Sequence, residues 1–482
     1  MRVLFASSEI FPLIKTGGLA DVSGALPPAL AELGLDVRLL MPGYPQAMAR
    51  LESPHRVASL GSPLGAGEAH LVEGRLPGTD VPVWLIDCPA QYQRDGGPYQ
   101  DQWGNDWFDN GLRFGLLSWT AAALSRDWSP FDWRPDVIHC NDWQTGLAPA
   151  YLQAWGGPRP GTVMTIHNIA YQGGFPGDLV GRLDLPATCY QPEGLEYYGR
   201  MSFLKAGLFY SDKLTTVSPT YARQIQSAPQ GFGMEGLLAH RRRDLIGILN
   251  GVDYGVWNPA TDPHLLRPYG ADLQGKAEAK AALEAELGLD QDDSPLFVIV
   301  SRLNDHKGMD LVLAAIPFLL RHGGKLALLG TGERWMEDGF RAVAAQHPSR
   351  IAAHIGYDET MAHRLIAGGD VLLMPSRSEP CGLTQLYALQ YGTVPLVHET
   401  GGLADTVVDV AYDTMLNGSA TGFAFKHADL GGLEWCIERV VQTYRNTETW
   451  ARIRAAGPRQ DFSWHRAAER YRDLYAGLLP EE

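Results

Sequence analysis

From Leu296 onward the chain alternates short apolar runs with longer stretches whose apolar residues recur every three or four positions. Leu296–Ser301, Lys325–Leu329, Ile351–Ile355, Val371–Ser376 and Val394–His398 read as strands buried on both faces, as in a parallel sheet. Between them Gly308–Leu320, Glu333–Ala345, Glu359–Ala367 and Gly382–Tyr391 read as helices, and Leu403–Val410 opens another. The first half follows the same rule less regularly. Val3–Ser7, Val37–Met41, Asp136–Cys140, Thr162–Ile166, Lys213–Val217 and Ile246–Leu249 are strands; Leu19–Leu33, Asn110–Leu124 and Pro219–Ile225 are helices, and Asn141-Asp142-Trp143 opens one more. Residues 44–110, rich in Pro, Gly, Tyr and Trp, read as irregular insertions, and 254–275 as a proline-rich linker before a charged helix at Lys276–Leu287. After Asp461, the spacing of Ala467, Tyr471, Leu474 and Leu478 predicts an amphipathic helix placed to brace the first half. The class is α/β with parallel sheets.

The length of 482 residues calls for two domains. The boundaries fall at 1–250 and 251–460, with 461–482 packing back on the first domain. A net charge of −15 argues against nucleic acid or an anionic membrane as partner, so an anionic substrate must be met by a local cluster of Lys and Arg. Five scattered cysteines without CxxC spacing fit no disulfide framework or zinc site and suit a reducing cytoplasm. No apolar window reaches the ~18 residues of a membrane span, and the N-terminus runs directly into a strand and turn with no signal-like segment.

Candidate chemistry gathers where strands end. In parallel sheets ligands bind beyond the carboxyl ends of strands, against the free N–H groups of helix N-termini. The hexapeptide Thr16-Gly-Gly-Leu-Ala-Asp21 recurs identically at Thr400–Asp405, so each half owns a Gly-rich strand-to-helix turn that an anionic group would approach closely. Lys15, Arg302 and Lys307 stand at such turns and suit a diphosphate, the guanidinium bidentately and the ammonium as a point charge. Glu379 shares that rim in the second half; Asp142 and His167 end strands in the first, and with the halves facing they would converge on a sugar. Asp290-Gln-Asp292 has the form of a metal-binding DxD but lies at the opposite sheet edge, where it reads as a solvated turn; no metal site is expected. Gly330-Thr-Gly332 lacks the third glycine of a dinucleotide fingerprint, which argues against a nicotinamide enzyme.

Lys15-Thr-Gly-Gly-Leu-Ala-Asp21, Ser301-Arg-Leu with Lys307-Gly308, Ser376-Arg-Ser-Glu-Pro-Cys-Gly-Leu-Thr384 and Thr400-Gly-Gly-Leu-Ala-Asp-Thr406 resemble the bacterial glycogen synthase and plant starch synthase family. Thr165-Ile-His-Asn168, Leu249-Asn-Gly-Val-Asp253 and Asp461-Phe-Ser-Trp464 extend the likeness over nearly the whole chain. The resemblance implies two Rossmann-like domains facing a deep cleft (the GT-B architecture), an ADP-glucose donor, an α-1,4-glucan acceptor and retention of configuration; no cofactor is expected, and the cysteine usage places the expected location in the cytoplasm. It carries Lys15 and the Gly17-Gly18 backbone to the donor diphosphate, with Asp21 in the same substrate-binding turn. Arg302, Lys307 and the helix start Gly382-Leu383-Thr384 would hold that diphosphate from the second domain. Glu379, His167 and Asn168 would bind or orient the transferred glucose, Asp142, Asn250 and Tyr99 would border the acceptor, and Tyr357 would lie against the base. Two departures stand out: Asn141-Asp-Trp-Gln144 where relatives often have His-Asp-Trp-His, and Tyr387 where wider relatives carry a second Glu. Oligomeric state is open. The rival readings are a nucleotide-sugar epimerase, a phosphorylase carrying pyridoxal phosphate, and a glucan-binding protein with a degenerate nucleotide site. A paired-carboxylate hydrolase would need Glu379 and Asp142 about 5–5.5 Å apart.

Overall fold

The computed structural model describes residues 1–479, so the last three residues of the 461–482 segment lie outside the described residues. The chain forms two compact units, Met1–Gly251 with the segment from Trp464, and Val252–Ser463.

The first unit carries β1 (Arg2–Ala6), β2 (Asp36–Pro42), β3 (Glu52–Gly61), β4 (Ala69–Arg75), β5 (Pro82–Asp87), β6 (Val137–Asn141) and β7 (Gly161–Ile166). It also carries β8 (Gly174–Pro176), β9 (Glu196–Tyr197), β10 (Arg200–Ser202), β11 (Lys213–Thr216) and β12 (Leu245–Gly247). Nine of them form one sheet in the order β12-β11-β7-β6-β1-β2-β5-β4-β3, parallel from β12 through β5 and closed by the antiparallel pair β4 and β3. Strands β8, β10 and β9 make a small antiparallel sheet. The chain order reverses between β1 and β6, which makes that gap the switch point where an open parallel sheet binds its ligand.

Residues 44–110 are more regular than their composition suggests. Strands β3, β4 and β5 extend the main sheet across 52–87, with Pro77-Gly78-Thr79 turning β4 into β5. Most of β3 is exposed, so this edge strand has no buried face to leave an alternating apolar signal. At the other end of the chain the Trp464–Ala476 helix buries Trp464, Ala467, Ala468, Tyr471 and Tyr475 within the first unit. Tyr475 pairs its hydroxyl with His139 Nδ1 at 2.7 Å, and Gly161 at the start of β7 leaves just enough room for Leu478.

The second unit is a single parallel sheet of β13 (Leu296–Val300), β14 (Lys325–Gly330), β15 (Ile351–Ile355), β16 (Val371–Met374), β17 (Val394–His398) and β18 (Phe423–Phe425), ordered β15-β14-β13-β16-β17-β18. Successive residues of β13 face opposite layers. Phe297 and Ile299 join a core with the Met309–Arg321 and Leu430–Tyr444 helices, whereas Leu296 and Val298 join Leu283 and Leu365 on the other side. The switch point lies between β13 and β16. The 254–275 stretch is irregular in backbone yet packed. Tyr269 donates to the carbonyls of Ala367 and Tyr391, the Asp262 carboxylate holds both His363 (2.7 Å) and the Tyr391 hydroxyl (2.6 Å), and Trp257 stacks between His363 and Tyr387.

Candidate active site

In the second unit the groups flanking the switch point meet. After β13 the chain turns through Arg302–Lys307, where the Asn304 side chain accepts from the Lys307 N–H and caps a short helical turn. Gly308 follows at φ +69, and a Cβ there would strike the Pro375 carbonyl oxygen, so only glycine lets this turn lie against the end of β16. The result is an ion pair across the switch point, with Lys307 Nζ 2.5 Å from Glu379 Oε2 and the Ser376 hydroxyl donating to the same oxygen at 3.1 Å. Glu379 is buried. Arg302 is exposed and makes no ion pair with any described residue, so it is the uncompensated cation of this turn. Arg377 is committed elsewhere, bridging Asp310 through both guanidinium nitrogens at 2.7 Å. Gly382, at φ +73, and Leu383 lead into the Thr384–Gln390 helix.

The repeated hexapeptide serves two different purposes. At Gly401 and Gly402 a Cβ would collide with the carbonyls of Glu379 and Cys381, and Gly402 N–H donates to the carbonyls of Glu379 and Pro380 at 3.1 Å. The expected close approach of an anion is therefore filled by the protein's own backbone, and these glycines hold the Glu379 loop in place. At Gly17 and Gly18 the corresponding space is open.

The first unit's switch point is organised by a residue that belongs to none of the motifs. Glu9, buried just beyond β1, accepts from Thr16 N–H (2.6 Å), Gly17 N–H (3.2 Å), the Thr16 hydroxyl and the Tyr99 hydroxyl (2.8 Å). It occupies two of the amides at the start of the Gly18–Glu32 helix, so the N–H of Gly17 is already engaged. The signal was there: Ser7-Ser8-Glu9 puts a carboxylate directly beyond a buried strand. Lys15 is half exposed and paired with Asp21 at 2.8 Å. The Tyr99 hydroxyl also meets Ser8 Oγ at 2.8 Å.

Beyond β6, Asn141 donates its amide to the Ala6 carbonyl at 3.0 Å, so its oxygen faces His167 Nε2 at 2.9 Å. Nε2 therefore carries the proton and Nδ1 offers a lone pair. Burial pulls the His167 pKa down to about 3, leaving the ring neutral. Asp142 sits at φ 54, ψ −176, a region otherwise essentially confined to glycine, held by its N–H on the Thr165 carbonyl and by its carboxylate on His167 N–H at 2.7 Å. Burial, with a further push from the Glu9 charge, raises its pKa to about 7 against the pull of the His167 and Asn168 amides.

Other expected positions are accounted for. Asn168 accepts from Ala170 N–H, Asn250 is buried beside the turn to Gly251, and Tyr357 is 80% exposed with its hydroxyl on Glu359 at 2.5 Å. Asp292 of the DxD is not merely solvated: it pairs with the buried Lys325 at 2.9 Å and with Arg350 at 2.8 Å, an internal structural bridge.

Doubly wound α/β units with a Lys–Glu pair at one switch point and a Glu–Asp–His constellation at the other define a two-domain glycosyltransferase of the GT-B class. Residues 2–240 match the family model described as the starch synthase catalytic domain, and 284–457 that of glycosyl transferases group 1. The chain is 63% identical to the glycogen synthase of Paramagnetospirillum magneticum over 99% of its own length and 98% of the relative's. With that of Nitrosospira multiformis it shares 51%, covering 100% and 98%. The chain belongs to the glycogen and starch synthase family of glycosyltransferases. Among solved structures it is similar to the catalytic domain of starch synthase IV from Arabidopsis thaliana, bound to ADP and acarbose (TM-score 0.87, 32% identity, covering 99% and 98%). A sucrose-phosphate synthase from Thermosynechococcus elongatus (TM-score 0.57, 17% identity, covering 99% and 98%) shares the fold alone. Among the described residues no helix is long and apolar enough to cross a membrane.

Proposed function

We propose that this protein transfers glucose from ADP-glucose to the non-reducing end of an α-1,4-glucan with retention of configuration, without a metal ion. The observation that carries the reading is the cationic turn Arg302–Lys307 set against Glu379 across the switch point of the second unit. A nucleoside diphosphate is a good leaving group and needs no strong general acid. The rate depends on stabilising the negative charge that grows as the glycosidic bond breaks, a task suited to preorganised donors. Arg302 supplies net positive charge, while Lys307 is aimed by Glu379 and balanced by it. The Gly382–Thr384 helix start adds backbone N–H groups to the same phosphates. On the second unit Glu379, and on the first the neutral His167 and its neighbour Asn168, are acceptors for sugar hydroxyls. On the first unit Lys15, Asp21 and the open backbone at Gly18 are offered to substrate phosphate, and Asp142, Asn250 and Tyr99 to the acceptor. Tyr357, largely exposed, is offered to the base.

The test is nucleotide release from ADP-glucose and UDP-glucose, with and without glycogen and with a chelator present. ADP released only when glycogen is present, faster than UDP and unaffected by the chelator, is the expected result. ADP released without glucan would mean hydrolysis, and ADP-glucose converted without ADP release would mean epimerisation; either would overturn the reading. In the same assay Arg302→Ala is expected to lower kcat about 10²–10³-fold, as for loss of one preorganised donor. It is a cleaner variant than Lys307→Ala, which strands the buried Glu379 without its partner.

A further inference from the structure

Gln385 is fully buried in the first turn of the Thr384–Gln390 helix, behind the loop that carries Glu379. Its carboxamide nitrogen reaches two successive backbone carbonyls, those of Cys381 and Gly382, at 3.0 Å each, and the Thr406 hydroxyl at 3.2 Å. These neighbours fix which way the amide lies, since turned over it would set an oxygen against two carbonyl oxygens. The amide oxygen is left buried with no donor, close enough to Gly382 that a Cβ there would come within 2.4 Å of it. An apolar side chain of similar size would fill the same space without stranding a polar atom, so packing alone does not account for a glutamine here.

Thr406 and Gly402 complete the arrangement. The Thr406 hydroxyl accepts from Gln385 and donates to the Gly402 carbonyl at 2.6 Å, and Gly402 N–H donates to the carbonyls of Glu379 and Pro380 at 3.1 Å. The consecutive carbonyls of residues 379 to 382 are therefore all drawn inward by the protein's own donors. A trans peptide sets its N–H opposite its C=O, so the N–H groups of Gly382 and Leu383 face away from Gln385. Neither has an acceptor among the described residues.

We propose that Gln385 is a positioning residue for glucosyl transfer. By holding the Cys381 and Gly382 carbonyls it turns the next two N–H groups toward the donor diphosphate, and it steadies the loop from which Glu379 reaches Lys307. Gln385 itself touches no substrate. The proposal rests on the glucosyltransfer reading above.

Gln385→Met keeps the volume and removes the donor. By calorimetry its ADP affinity is expected to weaken about tenfold, as for a lost hydrogen bond to a charged group. Adenosine, which has no phosphate, is expected to bind as it does to the parent. With glycogen present kcat falls about 10–100-fold while the glycogen KM holds, and Tm holds or rises because the stranded oxygen is gone. Gln385→Glu adds a pH profile that a merely structural residue would not move. Its ionised carboxylate repels both carbonyls and its protonated form donates again, so kcat relative to the parent is expected to recover as pH falls from about 8 to about 6. Unchanged ADP affinity and kcat in Gln385→Met overturn the proposal, as does equal weakening of ADP and adenosine. Should that variant fail to fold, Thr406→Val leaves both carbonyl contacts in place and decides instead, with ADP expected to weaken about threefold and adenosine unchanged. If the parent binds ADP yet releases none from ADP-glucose with glycogen, the glucosyltransfer reading fails while the comparison of ADP with adenosine still decides the role of Gln385. A parent that binds ADP no better than adenosine overturns both.

Discussion

Asp142 combines a glycine-type backbone conformation with a carboxyl whose ionisation burial pushes up to neutral pH, and the two have separate consequences. The folded pKa, about 7, lies above the ordinary 3.8, so between those values the folded protein binds more protons than the unfolded chain. Stability attributable to this residue therefore declines as pH rises from about 4 to 7 and levels off above. Asp142→Asn keeps the acceptor for His167 N–H and removes the titration. Its Tm relative to the parent is expected to climb between pH 5 and pH 7 and then stay constant; parallel pH curves would sink this account. The neighbouring tautomer is settled by an equally local fact, the Asn141 amide clamped to the Ala6 carbonyl. The sequence marked Asn141 only as a departure from a motif, because nothing in one dimension says that it faces a histidine 26 positions away.

At the level of elements, the Trp464–Ala476 helix shows how a distant segment enters a core. His139, on the central strand β6, bonds Tyr475 through one ring nitrogen and Thr165 through the other, and burial lowers its pKa to about 3. Tyr475→Phe leaves Nδ1 buried without a partner and is expected to cost about 1–3 kcal/mol in urea denaturation. An unchanged midpoint would show that the tether is dispensable. The helix itself was legible from its apolar spacing, although the contact-making Tyr475 stands one position from the expected Leu474. The twin hexapeptides teach the reverse lesson. Identical letters yield an open helix start at Gly17-Gly18 and a packed one at Gly401-Gly402, because what lies against a backbone is decided by other parts of the chain.

For the molecule as a whole, continuity along the chain separates the units. Residues 252–463 are contiguous and own both layers of their core. The first unit depends on a helix made after the second is complete. Expressed alone, 252–463 is expected to unfold cooperatively in denaturant, whereas 1–251 without the terminal helix exposes the face that receives Tyr471 and Tyr475 and is expected to aggregate or melt lower. A stable, cooperative 1–251 would contradict this dependence.

What the sequence alone determined was the periodicity. Buried parallel strands need unbroken apolar runs and amphipathic helices need a repeating stripe, so the α/β class, the second unit's strand and helix order and the amphipathic character of the last helix were written locally. Strand ends then pointed to Lys15, Arg302, Lys307, His167 and Glu379 as the places to look. Only the tertiary structure decided the strand order, and with it the switch points where β1 meets β6 and β13 meets β16. It decided that Lys307 spends its charge on Glu379 and that Glu9 fills the amides of Thr16 and Gly17. Those outcomes depend on groups tens to hundreds of positions apart reaching hydrogen-bonding distance, and only the folded chain sets such distances.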